Sequence, residues 1–174
     1  RVGDLSWIRE NYDFNAIAKS IDELVVLNVS RGEKNIYEFH EALIELSKNC
    51  FSPLAAGGGI RNINDAHKIL NSGADKLILN SHFFLNKNLV ETISKTFGNQ
   101  CVVCSIDYKV LNNKIEVYTS NGKKRIHLTL KEVVQNAYNL GAGEIYLTSI
   151  NKDGTGQGLD LENIELISSY TNLP

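Results

Sequence analysis

Apolar residues along this chain follow two alternating patterns, short uninterrupted runs and longer stretches with helical spacing. Runs rich in leucine and β-branched residues predict buried strands. The predicted strands are 24–29, 51–56, 76–80, 101–107 and 144–149. Apolar residues three or four positions apart predict helices. The predicted helices are 12–20, 36–46, 64–70, 86–97, 130–140 and 161–170. Strands and helices therefore alternate through short loops, which is typical of a parallel sheet.

Turn and cap signals refine this order. Asn64 is the predicted N-cap of the helix that follows it. Between 110 and 128 the alternation breaks, and Asn121-Gly122 predicts a β-hairpin inserted into a strand-to-helix connection. Residues 1–11 carry no periodic apolar pattern and are predicted to be irregular.

Two architectures fit the alternation, a doubly wound sheet and a (β/α)₈ barrel. Aligning the chain with itself so that Glu23 falls on Glu144 also places Pro53 on Pro174. One register kept through strand, helix and the next strand start favours a duplicated half-barrel. A barrel needs about 250 residues. We therefore expect one partial barrel domain over 1–174, with the hairpin as an excursion.

The composition excludes some classes of function. With 43% apolar residues and a formal charge of −2, the chain is a globular protein with material for one core. No basic cluster exceeds Lys123-Lys124-Arg125, so neither a nucleic-acid nor a membrane partner is predicted. No apolar run approaches the roughly 20 residues of a membrane span, and no signal peptide opens the chain, so we expect the cytoplasm. The absence of methionine indicates a fragment.

The three cysteines argue against a disulfide framework, because their number is odd. Cys101 and Cys104 have the C-x-x-C spacing, but residues three apart on a strand point to opposite faces. A shared metal or disulfide is therefore not predicted. Cys50 is predicted to be a small apolar core residue.

The strand predicted at 101–107 ends in a carboxylate, Asp107. A parallel strand delivers functional groups at its C-terminal end, so Asp107 is the first catalytic candidate. The alternative is that Asp107 caps the turn that follows, the commoner role of an aspartate after a strand.

Charged residues begin three of the predicted strands, where charge is costly unless it is paired. They are Glu23, Lys76 and Glu144. By strand parity Lys76 points the same way as Asn80, and Glu144 the same way as Thr148, which is inward. A barrel would gather the three charges into a ring at its N-terminal mouth. The ring is either a structural set of salt bridges or a functional device.

Several motifs occur in the order and spacing of a known family. They are Gly57-Gly58-Gly59-Ile60-Arg61, Gly73-Ala74-Asp75-Lys76, Asn80-Ser81, Phe97-Gly98-Asn99-Gln100 with Ser105-Ile106-Asp107, and Gly141-Ala142-Gly143-Glu144 with 148–155. From 22 to 174 the chain resembles the cyclase subunit of imidazole glycerol phosphate synthase. The resemblance implies a (β/α)₈ barrel with its second to sixth strands present and its first, seventh and eighth missing.

The resemblance also implies a reaction and a partner. The family, of glutamine amidotransferase type, works in histidine biosynthesis as a lyase. Its substrate is a bis-phosphorylated formimino aminoimidazole nucleotide, which with ammonia yields imidazole glycerol phosphate and an aminoimidazole carboxamide ribonucleotide. A glutaminase subunit in a heterodimer would supply the ammonia, and the ring of Glu23, Lys76 and Glu144 would gate it. Neither a metal nor an organic cofactor is implied.

A substrate with two phosphates requires two anion-binding sites. Gly58 and Gly59 are predicted to offer backbone N–H groups beside a helix N-terminus. Asn80 and Ser81, which end the next strand, are predicted to complete this first site. The alternative for a glycine cluster is a tight turn without a ligand.

The second anion site is predicted in the loop after Thr148, at Asp153-Gly154-Thr155. Asp153 itself would bond a hydroxyl group or shape the loop, since a carboxylate does not bind an anion. The resemblance makes Asp107 one of two catalytic aspartates and the general acid. Its partner belongs to the first strand, which this sequence lacks, so the segment alone is expected to be inactive.

Two departures from the family pattern leave other functions open. Asn28 stands where the family usually has an acidic residue, and 10–13 lacks the usual glycine and proline. Asn28 with Arg31 favours a paralogue whose barrel supports amidation of a surface sugar. The missing strands favour a non-catalytic segment that binds a glutaminase. A neighbouring isomerase family shares the Asp-Gly-Thr loop, but the charged ring fits it poorly.

Overall fold

A computed structural model describes residues 5–30 and 36–174 of the chain. The helices are α1 (Leu5–Asn11), α2 (Phe14–Ile17), α3 (Ile36–Asn49), α4 (Ile63–Asn71), α5 (His82–Leu85), α6 (Lys87–Phe97), α7 (Leu130–Asn139) and α8 (Leu161–Ser168). The strands are β1 (Leu24–Leu27), β2 (Leu54–Gly57), β3 (Lys76–Leu79), β4 (Val102–Leu111), β5 (Lys114–Thr119), β6 (Lys124–Ile126) and β7 (Glu144–Ser149). The chain forms two compact units that divide within β3, at Leu77 and Ile78.

The first unit contains a parallel strand pair and the helices that cover it. In β1 and β2, Leu24 lies opposite Leu54 and Leu27 opposite Gly57. Most of the buried side chains of this unit come from β2, α3 and α4. They include Leu43, Leu46, Leu54, Ala56, Ala66 and Ile69.

Strand β1 is shorter and more exposed than the sequence predicts. The apolar run 24–29 indicates a fully buried strand, but Val25 remains 39% exposed and Leu27 37% exposed. Burial alternates along β1 because only one of its faces is packed among the described residues.

The N-terminal region was predicted to be irregular, and for 5–11 this prediction is wrong. The Asn11 side chain donates to the Trp7 carbonyl at 2.8 Å inside α1. The Trp7 ring centroid lies 5.8 Å from that of Tyr12, which lies 6.2 Å from that of Phe14. These local contacts stabilise a short helix without an apolar stripe.

The predicted N-cap Asn64 is also wrong, because Asn62 caps α4. The Asn62 side chain accepts a hydrogen bond from the Asp65 backbone at 3.0 Å. The Asp65 carboxylate in turn accepts one from the Arg61 backbone at 2.9 Å. This reciprocal pair satisfies first-turn donors, which fixes the helix start at Ile63.

The second unit is built around the long strand β4. In parallel pairing with β7, Val103 lies opposite Glu144 and Asp107 opposite Thr148. The predicted excursion takes the form of two strands, with β5 antiparallel to the end of β4 and β6 antiparallel to β5. The buried side chains include Val90, Ile93, Val102, Cys104, Ile106, Val117 and Val134.

The α/β class is confirmed, with parallel strand pairs and intervening helices as in part of a (β/α)₈ barrel. Cys101 lies in a short 3₁₀ helix, Asn99–Cys101, rather than at the predicted strand start. All three cysteines are free thiols. Within the described ranges, no helix combines the length and apolarity that crossing a membrane requires.

Candidate active site

Asp107 lies within β4 and is surrounded by polar side chains. Asn80, Ser105 and Thr148 all hydrogen-bond to its carboxyl group. Ser105 lies two residues away on the same face of β4, and Thr148 lies directly opposite on β7. Because β4 continues to Leu111, Asp107 does not cap a turn.

The environment of Asp107 raises its pKa above the ordinary aspartate range. Burial is the main cause, since it disfavours the charged carboxylate. The hydrogen bonds from Asn80, Ser105 and Thr148 act in the opposite direction, and the negative charge of Asp153 adds to the rise. A carboxyl group in this position retains its proton to higher pH than a free aspartate does.

The segment after β3 supplies the first of these partners. Strand β3 ends at Leu79, and Asn80 follows it with a half-buried side chain. Ser81 precedes the four-residue helix α5 and donates to the Asn80 side-chain oxygen at 3.5 Å. The structure therefore brings Asn80, Ser81, Thr148 and Asp107 together in the second unit.

The loop from 151 to 158, here the glycine-rich loop, borders a cavity of about 300 Å³. Asp153 and Gly154 line this cavity together with Thr148 and Lys152. The Thr155 side chain donates to the Lys152 carbonyl at 2.7 Å, which closes a turn inside the loop. Asp160 lines the same cavity, so the cavity combines one ammonium group with two carboxylates and the backbone of the loop.

Sequence reasoning missed Asp160, which lies at the end of the glycine-rich loop. Its carboxylate accepts hydrogen bonds from Tyr108 at 2.9 Å, Ser149 at 3.2 Å and Asn163 at 3.0 Å. The Lys152 ammonium lies 3.4 Å from its other oxygen. An aspartate before an apolar helix predicts only a cap, so the sequence carries no signal for this cluster.

The pKa values in this cluster favour a charged Asp160 and a neutral Tyr108. Burial tends to raise the pKa of Asp160, but bonds from Asn163, Tyr108 and Ser149 and the charge of Lys152 bring it below its usual value. Burial is the main cause that raises the pKa of Tyr108 to about 12. Tyr108 is therefore a hydrogen-bond donor throughout the physiological pH range.

Gly58 and Gly59 lie in the first unit, at the turn after β2. A methyl group on Gly58 would stand 2.5 Å from the backbone oxygen of Asn28, and φ is +99° there. The following helix end is capped by Asn62 and Asp65, so its first turn is less open to an anion than predicted. An anion bound at this turn would therefore be contacted by the backbone N–H groups of Gly58 and Gly59.

Two of the three predicted gate residues form an ion pair in the first unit. The Lys76 ammonium lies 2.9 Å from one carboxylate oxygen of Glu23, and both side chains are about one-quarter exposed. The other Glu23 oxygen is buried and has no hydrogen-bond partner among residues 5–30 and 36–174. Glu144 begins β7 in the second unit.

The residues that favoured sugar amidation are only partly described. The Asn28 side chain accepts a hydrogen bond from the Ser30 backbone at 3.1 Å, just after β1. Arg31 lies outside the described residues. Across 5–30 and 36–174, no three His, Cys, Asp or Glu side chains are grouped to bind a metal ion.

Comparisons with known proteins cover nearly the whole chain. The profile of the family described as histidine biosynthesis protein matches residues 12–174. The chain is 39% identical over 161 residues to a putative imidazole glycerol phosphate synthase subunit hisF2 of Parasynechococcus marenigrum, covering 92% of this chain and 60% of that protein.

Two further relatives carry the name imidazole glycerol phosphate synthase subunit HisF. The protein of Dictyoglomus thermophilum is 37% identical over 174 residues, covering 99% of this chain and 68% of its own length. That of Legionella pneumophila is 37% identical over 158 residues, covering 90% and 74%. The chain thus spans 60% to 74% of the lengths of these three proteins.

Proposed function

Because this chain belongs to the histidine biosynthesis protein family, we propose that the full-length protein containing it is the cyclase subunit of imidazole glycerol phosphate synthase. The proposed reaction joins ammonia to a bis-phosphorylated formimino aminoimidazole nucleotide. Its products are imidazole glycerol phosphate and an aminoimidazole carboxamide ribonucleotide. The observation that carries the proposal is the protonatable carboxyl of Asp107 among Asn80, Ser105 and Thr148.

We assign Asp107 the role of general acid. A general acid must keep its proton near the operating pH, and the raised pKa of Asp107 supports this. The Asn80 and Thr148 side chains fix the orientation of the carboxyl group, which places the proton in one direction.

The two phosphate groups of the substrate would bind at separate turns. Asp153 and Gly154 border the cavity that Lys152 also lines, which supports a phosphate site with one cation and backbone donors. Gly58 and Gly59 of the first unit are assigned to the other phosphate, and Asn80 and Ser81 of the second unit are assigned to substrate binding.

The partner and the source of ammonia are part of the same proposal. An amidotransferase of this type receives ammonia from a glutaminase subunit in a heterodimer. The Glu23–Lys76 ion pair of the first unit is proposed to act in the gate through which ammonia enters, and Glu144 of the second unit is a further candidate for this role. A buried carboxylate oxygen without a partner supports a polar path at Glu23.

The test is ammonia-dependent turnover of the bis-phosphorylated nucleotide by the full-length protein and its Asp107→Asn variant. Asparagine preserves the size of the side chain and one accepting oxygen, but it replaces the other oxygen with an NH2 group and cannot donate an acidic proton. We expect turnover to fall about 10²- to 10⁴-fold, the typical contribution of a general acid. Product formation followed by absorbance measures it directly.

Asp75→Asn is the matched control, because Asp75 is an aspartate of the first unit whose carboxylate accepts a hydrogen bond from the Leu54 backbone at the start of β2. This variant should keep the turnover of its folded fraction. A wild-type protein that binds a glutaminase but leaves the nucleotide unchanged would contradict the proposal and favour sugar amidation. The 174-residue segment alone is proposed to be inactive, since the partner of Asp107 comes from a strand that these residues do not include.

A further inference from the structure

Strands β4 and β7 carry two polar networks on opposite faces. Asp107 pairs in register with Thr148, and the next residues, Tyr108 and Ser149, pair with each other. Successive strand residues point to opposite faces. The Asp107–Thr148 pair therefore faces one side of these strands, and the Tyr108–Ser149 pair faces the other.

Asp160 is the acceptor on which the second network converges. Tyr108, 1% exposed, and Ser149 both donate to one oxygen of its carboxylate. Asp160 stands at the N-cap position of α8, yet its side chain makes no capping hydrogen bond. Asp160 therefore bonds side chains of β4 and β7 instead of the backbone N–H groups that an N-cap aspartate usually bonds.

The same carboxylate secures the glycine-rich loop. Near the loop start, the Lys152 ammonium lies 3.4 Å from Asp160 and 3.4 Å from the Leu159 carbonyl oxygen. Three loop glycines have positive φ and no atom within 4 Å of an added Cβ: Gly154, Gly156 and Gly158. The loop interior therefore has little side-chain packing at these glycines, and its conformation depends on the turn that Thr155 closes and on the contacts at its two ends.

We propose that Asp160 is a positioning residue that sets the affinity of the glycine-rich loop for the second phosphate of the substrate. It fastens the loop end to Tyr108 and Ser149 and keeps Lys152 at the cavity. This inference rests on the proposed function and deepens it. Asp160 lines the cavity but, being a carboxylate, would act on a phosphate through Lys152 and the loop backbone and not by direct contact.

The physical basis is preorganisation of a flexible anion site. A loop free to sample many conformations loses that freedom when it binds, and this loss weakens binding. An ion pair and two hydrogen bonds at the loop ends restrict the loop before the substrate binds, which reduces the conformational entropy lost on binding. The Asp160 side chain is about 10% exposed and that of Lys152 is 37% exposed, so solvent screens the ion pair more than it screens the hydrogen bonds from Tyr108 and Ser149.

The test compares Asp160→Asn, Tyr108→Phe and the double variant in the full-length protein. Asparagine has the same shape but loses the charge that pairs with Lys152. We expect KM for the bis-phosphorylated nucleotide to rise about tenfold in Asp160→Asn, with kcat changed less than about twofold. Tyr108→Phe should raise KM less, and the double variant should fall short of the product of the two effects.

The matched control is Glu162→Gln, which removes the same charge from an exposed position in the first turn of α8. Its KM should equal that of the wild type. Inorganic phosphate, titrated calorimetrically, should bind more weakly to Asp160→Asn than to Glu162→Gln. Tyr108→Phe removes a single oxygen and keeps the test available if Asp160→Asn does not fold.

An unchanged KM in both variants would overturn the inference. The inference would also be overturned if activity fell only in proportion to the amount of folded protein while the KM of the folded fraction stayed the same. Failure of the proposed function is distinguishable, because it appears as absence of nucleotide turnover in the wild type or full turnover in Asp107→Asn. Wild-type turnover with a normal KM in Asp160→Asn would refute the role of Asp160 alone.

Discussion

The two glycine-rich turns of this protein use glycine for different reasons. At Gly58 the backbone of Asn28 leaves no room, since a Cβ would stand 2.5 Å from its oxygen. At Gly154 nothing lies within 4 Å of a Cβ, although φ is positive at both positions. The first turn is determined by close backbone packing, and the second by the contacts at its ends.

This difference separates two ways of preparing a site for an anion. A turn packed against another strand is rigid by itself and tolerates little change. A loop with an open interior depends on distant side chains, here Lys152 and Asp160, and can be altered without disturbing the core. The three predictions below test this contrast, from the largest expected effect to the smallest.

Gly58→Ala should produce the largest effect. The added methyl group meets the Asn28 backbone, which cannot rotate away as a flexible side chain would. Alanine also disfavours the positive φ at this position. From the clash and this strain together, we expect the free energy of unfolding to fall by about 3 kcal/mol or more. Chemical denaturation of the full-length protein measures this, and a loss below about 1 kcal/mol would show that the turn is not rigid.

As the pH falls, the glycine-rich loop should lose its folded conformation before the turn at Gly58 does. The folded pKa of Asp160 is lowered, so its stabilising contribution is present above its unfolded pKa, about 4, and is lost as pH falls through the folded value. Asp107 has a raised pKa, and its contribution is instead lost as pH rises. Acid opening therefore reports on Asp160.

Limited digestion with pepsin across the acid range provides the measurement. Cleavage within 151–158 should begin at a higher pH than cleavage near Gly58, which packs against the backbone of Asn28. Asp160→Asn should show early cleavage of the loop at every pH. Simultaneous cleavage of both turns would contradict the contrast between them.

Gly154→Ala should have the smallest effect. The methyl group meets no atom, so only the cost of a positive φ remains, about 1–2 kcal/mol. Chemical denaturation of Gly154→Ala and Gly58→Ala under the same conditions measures both effects, and each variant serves as the control for the other. Equal losses in the two variants would mean that backbone conformation, and not packing, decides both positions.

The alternation of strands and helices could be predicted because it depends on local periodicity. The strand at 144–149 matches β7 at both ends, and the predicted 86–97 helix matches α6 to within a residue. Asp107 was recognisable because an apolar run leads directly to a carboxylate. These features follow from the order of residues in one segment.

Features that depend on contacts between segments could not be predicted. Asn62 and Asn64 are equally good caps in sequence, and only the reciprocal bond with Asp65 selects Asn62. The proposed role of Asp160 depends on its hydrogen bond with Tyr108, which lies 52 positions earlier in the chain. Strand β4 extends beyond Asp107 because β5 pairs with it, which the hairpin signal indicated without giving the register.

The double pairing of Asp107 has a consequence for motion during turnover. Its backbone lies opposite Thr148 on β7 and Tyr118 on β5, so neighbours flank it at both edges. Local opening is rarest at such positions, and the amides of Asp107 and Tyr108 should be among the slowest to exchange with deuterated solvent. During the proposed turnover the acid group would therefore be held in place by the sheet, whereas the amides of the glycine-rich loop, which lies outside the strands, should exchange faster.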